Sequence, residues 1–275
     1  MSRKRKPHFK NLFMKKTINA NELLFRASQM TDIMSGVATR KDVENSETCK
    51  KRLVKIYNEV YWGRKEPNRD NKYCEKGTIQ ENEGIQMLVL SQRKAYRKNE
   101  TRHNNDFFTC ITDINDLADT TIDIKCSWSL DTFNESKSSD LKKVYLYQGQ
   151  VQMDVHGKNN HWVVYCLVNN TARLIQREID LLKYKFEEGS ANWEEAARQT
   201  QINNIYDMKL FEKNNPLFDY IVTPEQWTEE GLDIPASERI FRFEMTRDEE
   251  IISSMKNRIT ECREWMNQKL FNYGK

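Results

Sequence analysis

The chain has 275 residues, of which 31% are charged and 38% hydrophobic, and its formal net charge is only +3. That balance fits a globular protein with a polar surface and argues against a disordered or membrane-embedded chain, since no apolar run approaches the roughly 20 residues of a bilayer span. The mild charge singles out no partner, and the cysteines, Cys49, Cys74, Cys110, Cys126, Cys166 and Cys262, are scattered without a CxxC pair, which argues against zinc and for free thiols in a reducing compartment.

The amino-terminal stretch carries Arg3, Lys4, Arg5, Lys6, Lys10, Lys15 and Lys16 and no acid, which suits either phosphate contact or a solvated end. No uninterrupted apolar segment follows it, so no secretory signal is expected and the protein is expected in the cytoplasm. Over 48–61, Leu53, Ile56, Tyr57 and Val60 fall at helical spacing, and the polar stretch 63–76 reads as a loop. A helix is expected over 79–98. The runs 107–113 and 122–128 are rich in β-formers and flank the turn-prone Asn115-Asp116-Leu117-Ala118-Asp119, which predicts the two arms of a hairpin. Helical spacing returns over 141–156 until Gly157, and 161–168 reads as a buried strand. The polar helical stretch from 170 to about 215 has Trp193, Ile202, Ile205 and Leu210 as expected anchors. A strand over 239–245 then leads to a capping-box pattern at Thr246 and Glu249 and an amphipathic helix with Ile252, Met255, Ile259, Cys262 and Met266 inward. Strands covered by helices predict an α/β fold with one central mixed sheet. The chain reads as a single domain, with a core at about 20–168 and 238–271 and a helical elaboration at about 170–236.

Side chains alternate across a strand, so Ile122, Ile124, Cys126 and Trp128 share one face while Asp123, Lys125 and Ser127 share the other. A hairpin would bring Asp113 across from Asp123. Two converging carboxylates repel unless a cation lies between them, and oxygen ligands suit Mg²⁺ or Mn²⁺. Such an ion polarises a phosphodiester and lowers the pKa of an attacking water, while a neighbouring lysine stabilises the developing charge or orients that water. Asp116 and Asp119 are rivals that turn chemistry also explains. On a helix from Ile79, Glu81 shares a face with Ile85 and Leu88 and is directed inward, although Thr78-Ile79-Gln80-Glu81 also reads as a capping box. Gln148 falls on the apolar stripe of Leu141, Val144, Val151 and Val155 and must find a hydrogen-bond partner, whereas Gln150 and Gln152 lie further round as surface positions.

The order Glu81, Asp113, Asp123-Ile124-Lys125 and Gln148-Gly149-Gln150 resembles the PD-(D/E)XK nuclease superfamily, and within it the phage recombination exonucleases of the lambda-exonuclease or YqaJ type. The resemblance spans about 24–168, with a weaker echo in the final strand and helix. It includes Gly77 four positions before Glu81 and Cys126 directly after Lys125, and its spacing favours Asp113 over Asp116. It implies a restriction-endonuclease-like core and a Mg²⁺ or Mn²⁺ site of two ions held by Asp113, Asp123, the Ile124 carbonyl and Glu81. By the same resemblance Lys125 assists the nucleophilic water and Gln148 supports the site. The runs Phe25-Arg26-Ala27-Ser28 and Ile33-Met34-Ser35-Gly36 look like the family's phosphate-contacting opening, so Arg26 and Ser28, together with Gln150, are expected against DNA. Thr112 stands where a proline is usual, and Asp123 where glutamate is commoner; the stretches 41–76 and 170–234 exceed the compact pattern. Only Cys262 lies beyond Cys166, so the iron-sulfur cluster of a related branch is not expected.

The function that the resemblance implies is metal-dependent exonucleolytic resection of linear double-stranded DNA from its ends for recombination. DNA is the expected partner, with a single-strand annealing protein downstream and a trimer by resemblance alone. A structure-specific or restriction-like endonuclease on the same site, and a non-catalytic DNA-binding or assembly protein on the same fold, are the alternatives.

Overall fold

The computed structural model describes residues 19–65 and 72–272; the basic amino-terminal run lies outside them. In chain order the elements are β1 (Phe25–Arg26), α1 (Met30–Ile33), α2 (Glu47–Trp62), α3 (Lys72–Gln92), β2 (His103–Asn104), β3 (Phe108–Cys110), β4 (Thr120–Cys126), α4 (Leu130–Ser138), α5 (Lys143–His156), β5 (Asn160–Cys166), α6 (Ala172–Asp180), α7 (Ala191–Ile202), α8 (Met208–Asn214), α9 (Pro224–Glu230), β6 (Ile240–Thr246) and α10 (Glu249–Met266). Among the described residues no helix is long and apolar enough to cross a membrane.

The fold is α/β, but its strands form two three-stranded mixed sheets instead of one central sheet. In the larger, β5 lies between a parallel β4 and an antiparallel β6. In the smaller, β3 lies between a parallel β1 and an antiparallel β2. The expected hairpin is therefore corrected: β3 and β4 belong to different sheets, joined by the single antiparallel bridge Ile114–Ile122. The physical reason lies in the 115–119 connection, which wraps around a lysine rather than making a tight turn. Lys158 Nζ donates to the carbonyls of Leu117 at 2.7 Å and Thr120 at 3.4 Å, and to that of Asn115.

β5 feeds both faces of the larger sheet. Val164, Cys166 and Val168 pack with Ile122, Ile124, Ile85 and Leu88 under α3, while Val163, Tyr165 and Leu167 pack with Phe133, Tyr206 and the β6 aromatics under α4 and α5. Two glycines let the covering helices reach the sheet. A Cβ on Gly84 of α3 would lie 2.6 Å from Ile124 Cγ2, and one on Gly149 of α5 would lie 2.6 Å from both His161 Cδ2 and Met245 Sδ. These close approaches set Glu81 and Gln148, each on a helix, over opposite sides of β4.

Three other boundaries differ from expectation. α3 starts at Lys72 and ends at Gln92, where Arg93 adopts a positive φ of 51°; Thr78 is therefore a helix-interior position, not the start of a helix. The segment beyond it, through Lys98, is irregular, its polar groups being bound elsewhere: Arg97 N–H donates to Asp116 Oδ2 at 3.1 Å and Asn99 N–H to the Asp113 carbonyl at 2.7 Å. α10 is capped by Asp248, which accepts from the N–H groups of Glu250 and Ile251, because Thr246 is still the last residue of β6. Its stripe Ile252, Met255, Ile259, Cys262 and Met266 is buried as expected, in a second core with α1, α2, β1 and β3. The helices α6–α9 have their own apolar core around Ile175, Ile205, Phe211 and Trp227, with Trp193 and Ile202 at its margin. Leu210 is only half-buried, because its neighbour Phe211 takes the inward position.

Candidate active site

The outward edge of β4 carries the chemistry. Ile122 N–H donates to the Ile114 carbonyl at 2.9 Å, and the next amide on that edge, Ile124 N–H, donates 2.7 Å to Asp113 Oδ2. A carboxylate has thus taken the place of the next ladder partner. Because a strand residue's N–H and C=O point to the same side, the Ile124 carbonyl faces that edge as well. On the face toward α5, Asp123 is 3% exposed, accepts from Gln148 Nε2 at 3.4 Å and is ion-paired through Oδ2 with Lys125. The Lys125 ammonium also lies 5.0 Å from the centre of the Tyr145 ring.

The protonation of this cluster follows from its burial. Burial first, and the Asp123 charge second, push Asp113 up from 3.8 to about 8. Asp123 is buried too, but the Lys125 ammonium outweighs that cost and holds its carboxyl below the usual range. Burial depresses Lys125, yet Asp123 and Asp113 more than compensate and raise it. The two aspartates, the amine and the Gln148 amide are therefore brought together in one unit, in which Asp123 is buried and Asp113, Lys125 and Gln148 are half-buried.

Glu81 is near but differently engaged. Its charge contributes to raising Asp113, and its Oε1 lies 3.2 Å from Lys98 Nζ. The turn 27–29 that carries Ser28 packs on α5. Ser28 itself is exposed, and Arg26 is ion-paired with Glu59 of α2. Gln150 is a correction. It is 1% exposed, donates to the Thr246 carbonyl at 2.9 Å and accepts from Asp248 N–H at 2.9 Å, so its amide ties β6 to α10 and is not available to DNA. Gln152 is likewise buried, not a surface residue. Asp116 and Asp119 are used locally: Asp116 accepts from Arg97 N–H, and Asp119 Oδ1 from Asn159 N–H at 2.9 Å. Gly77 has open space where a Cβ would go, so the glycine that matters for docking α3 is Gly84.

Three neighbours of the site escaped sequence reasoning. Tyr145 precedes Gln148 by three residues on α5, a spacing that places it on the same face. His161 of β5 is fully buried beside the cluster, with Nδ1 2.8 Å from Thr121 Oγ1 and burial lowering its pKa to about 4. A lone histidine in an apolar strand carries no sequence signal for such a place. Lys98 fell at the end of a helix that does not extend so far.

Among the described residues, no three His, Cys, Asp or Glu side chains converge closely enough to hold a metal as they stand. Yet the donor set suits a hard cation. Asp113 and Asp123 are two crowded carboxylates, and the Ile124 carbonyl faces the same edge. Glu81, nearby, has its Oε1 on Lys98.

This fold and site define an α/β protein with a half-buried Asp, Asp and Lys cluster at a strand edge. The chain is similar to solved exonuclease structures. A phage-related exonuclease from Haemophilus somnus 129PT matches with a TM-score of 0.62 at 22% identity, over 90% of this chain and 95% of that one. The alkaline exonuclease LHK-Exo from Laribacter hongkongensis matches with a TM-score of 0.54 at 14% identity, over 92% and 96%. LHK-Exo in complex with dAMP matches with a TM-score of 0.57 at 14% identity, over 93% of each chain. These likenesses establish the fold. No protein-family model and no curated protein matches the sequence.

Proposed function

We propose that the protein is a metal-dependent deoxyribonuclease that degrades linear double-stranded DNA from its ends, leaving single-stranded tails for recombination. The observation that carries this reading is the pairing of Asp113 with Asp123 at the β4 edge, where burial and mutual repulsion leave one carboxyl protonated to about pH 8 unless a cation joins them. In the proposal Asp113, Asp123, the Ile124 carbonyl and Glu81 hold Mg²⁺ or Mn²⁺. The bound ion supplies an activated water and charge stabilisation at the scissile phosphate. Lys125, fixed by Asp123, keeps its proton and orients or stabilises the charge developing at that phosphate. Gln148 holds Asp123 in register from α5. Exposed Ser28 and the Arg26 guanidinium, once released from Glu59, are the proposed contacts to DNA phosphate. The likeness to exonucleases across nine-tenths of the chain supports end-dependent cutting over the other nuclease modes. A single-strand annealing protein as downstream partner and a trimeric assembly belong to the same proposal.

The test compares end-labelled linear duplex with a covalently closed circle in Mg²⁺, using the wild-type protein, Lys125→Ala and Asp113→Ala. The linear duplex should be degraded and the circle spared, with both variants slower by about 10²- to 10⁴-fold. Equal cutting by all three proteins would sink the site assignment, and cutting of the circle would make the enzyme an endonuclease.

A further inference from the structure

Lys98 faces Glu81 from a segment that is fixed on both sides of it. Arg97 N–H donates to Asp116 Oδ2 at 3.1 Å, Asn99 N–H to the Asp113 carbonyl at 2.7 Å, and Asn99 Nδ2 to the Thr112 carbonyl at 2.8 Å. The backbone that carries this amine is therefore tied directly to the backbone of Asp113, and only the lysine's own torsions are left to move. Its ammonium lies 3.2 Å from Glu81 Oε1, in a pair whose side chains are 30% and 23% exposed.

We infer that Lys98 is the exchangeable counter-ion of Glu81: its ammonium holds that carboxylate while no divalent ion is bound, and yields it when the ion arrives. The inference rests on the metal-dependent reading of the site. Three observations carry it. First, the acidic cluster needs positive charge, and the other amine is already committed, since Lys125 is ion-paired with Asp123 and rests on the Tyr145 ring. Second, a partly hydrated lysine pair is weak, because water competes for both charges. A divalent cation presents twice the charge to the same oxygen at a shorter distance, so it displaces the amine. Third, the displaced amine has somewhere to go. Lys98 lines an open cleft of about 620 Å³ with Arg97, Asn99, His103 and Asn115. The 82%-exposed Glu100 carboxylate, 3.9 Å from the amine, offers a second resting place. Lys98 is thus a positioning residue: it keeps Glu81 pointed at the site and screens the acids from one another until the ion replaces it.

A purely structural lysine and an exchangeable one predict opposite effects on metal affinity. Mn²⁺ binding is titrated by electron paramagnetic resonance at low salt without DNA, on the wild-type protein, Lys98→Ala and Lys98→Arg, with thermal melting to show that each is folded. Removing a competitor should tighten Mn²⁺ binding in Lys98→Ala by about twofold to fivefold, the range expected for a partly exposed ion pair. Lys98→Arg, which keeps the charge, should bind no more tightly than wild type. Unchanged or weaker Mn²⁺ binding by folded Lys98→Ala overturns the inference while leaving the nuclease reading intact. A wild-type protein that binds no Mn²⁺ overturns both.

Discussion

At the scale of single residues, the site is a problem of placing three acids and two amines within a few side-chain lengths of each other in poorly hydrated surroundings. Asp113 bears most of the cost. Its carboxyl is raised from 3.8 to about 8, so across that window the folded, metal-free protein binds a proton that the unfolded chain has released. Stability must then be highest below pH 4 as far as this group is concerned, and must fall as pH rises toward 8. Asp113→Asn mimics the protonated form and can still accept the Ile124 N–H, so it should remove that decline. In a chelating buffer we expect the variant to melt above wild type at pH 8, on the order of 2–8 °C at this chain length, and the two to converge near pH 4. Added Mg²⁺ should raise the wild-type midpoint at pH 8 and leave that of the variant nearly unchanged. Melting curves that run parallel from pH 4 to pH 8 would show that Asp113 does not carry the strain assigned to it.

At the scale of elements, the site depends on how closely α3 and α5 approach β4. Gly84 fixes the first of these distances, since a Cβ there would lie 2.6 Å from Ile124 Cγ2 and 3.2 Å from Cys126 Sγ. Gly84→Ala should force α3 away from the sheet, costing about 1–3 kcal/mol through overpacking and moving Glu81 off the site. Gly77→Ala meets open space inside the same helix and should be neutral or stabilising by roughly 0.5–1 kcal/mol. The pair is a control for helix propensity: equal midpoints and equal nuclease rates in the two variants would remove Gly84 from the argument. The same elements show what the sequence could reveal. The inward stripe of α10 and the alternation of β4 were legible because each is a local period, and Asp123, Lys125 and Gln148 came with them. The pairing of β4 with β5 instead of β3 was not legible, because it turns on Lys158 filling a loop some 40 positions earlier in the chain. Gln150 looked like a surface residue for the same reason, its partners lying 96 and 98 residues away.

At the scale of the whole molecule, the helices α6–α9 have an apolar interior of their own and meet the larger sheet both through Tyr206, seated among Phe133, Tyr165 and Leu167, and through a cluster of polar contacts. Asn169, just past β5, is the centre of that joint. Its Oδ1 accepts from the N–H groups of Tyr206 and Asp207 at 2.8 and 3.0 Å, its Nδ2 donates to the Asp207 carbonyl at 2.9 Å, and its own carbonyl receives Gln80 Nε2 from α3. Lys76 of α3 adds bonds to the carbonyls of Val168 at 2.9 Å and Trp128 at 3.2 Å, and Arg239 at the start of β6 reaches Asp207. In such surroundings every further polar group left without a partner is costly. Asn169→Ala therefore leaves the N–H groups of Tyr206 and Asp207 without partners, at about 1–3 kcal/mol for each that stays dry, while the Asp207 carbonyl keeps its bond from Phe211 N–H at 3.0 Å. The apolar core around Ile175, Phe211 and Trp227 has packing of its own and should survive, as should the sheet that carries Asp123. The expected outcome is separation of two behaviours that are coupled in the wild type: amide exchange rises by at least tenfold across 169–171 and 204–208, while the β4 and β5 amides stay protected. If exchange in Asn169→Ala rises equally in β4, the joint is part of one cooperative unit with the site, and substitutions anywhere in the elaboration should then move the melting behaviour of Asp113 as well.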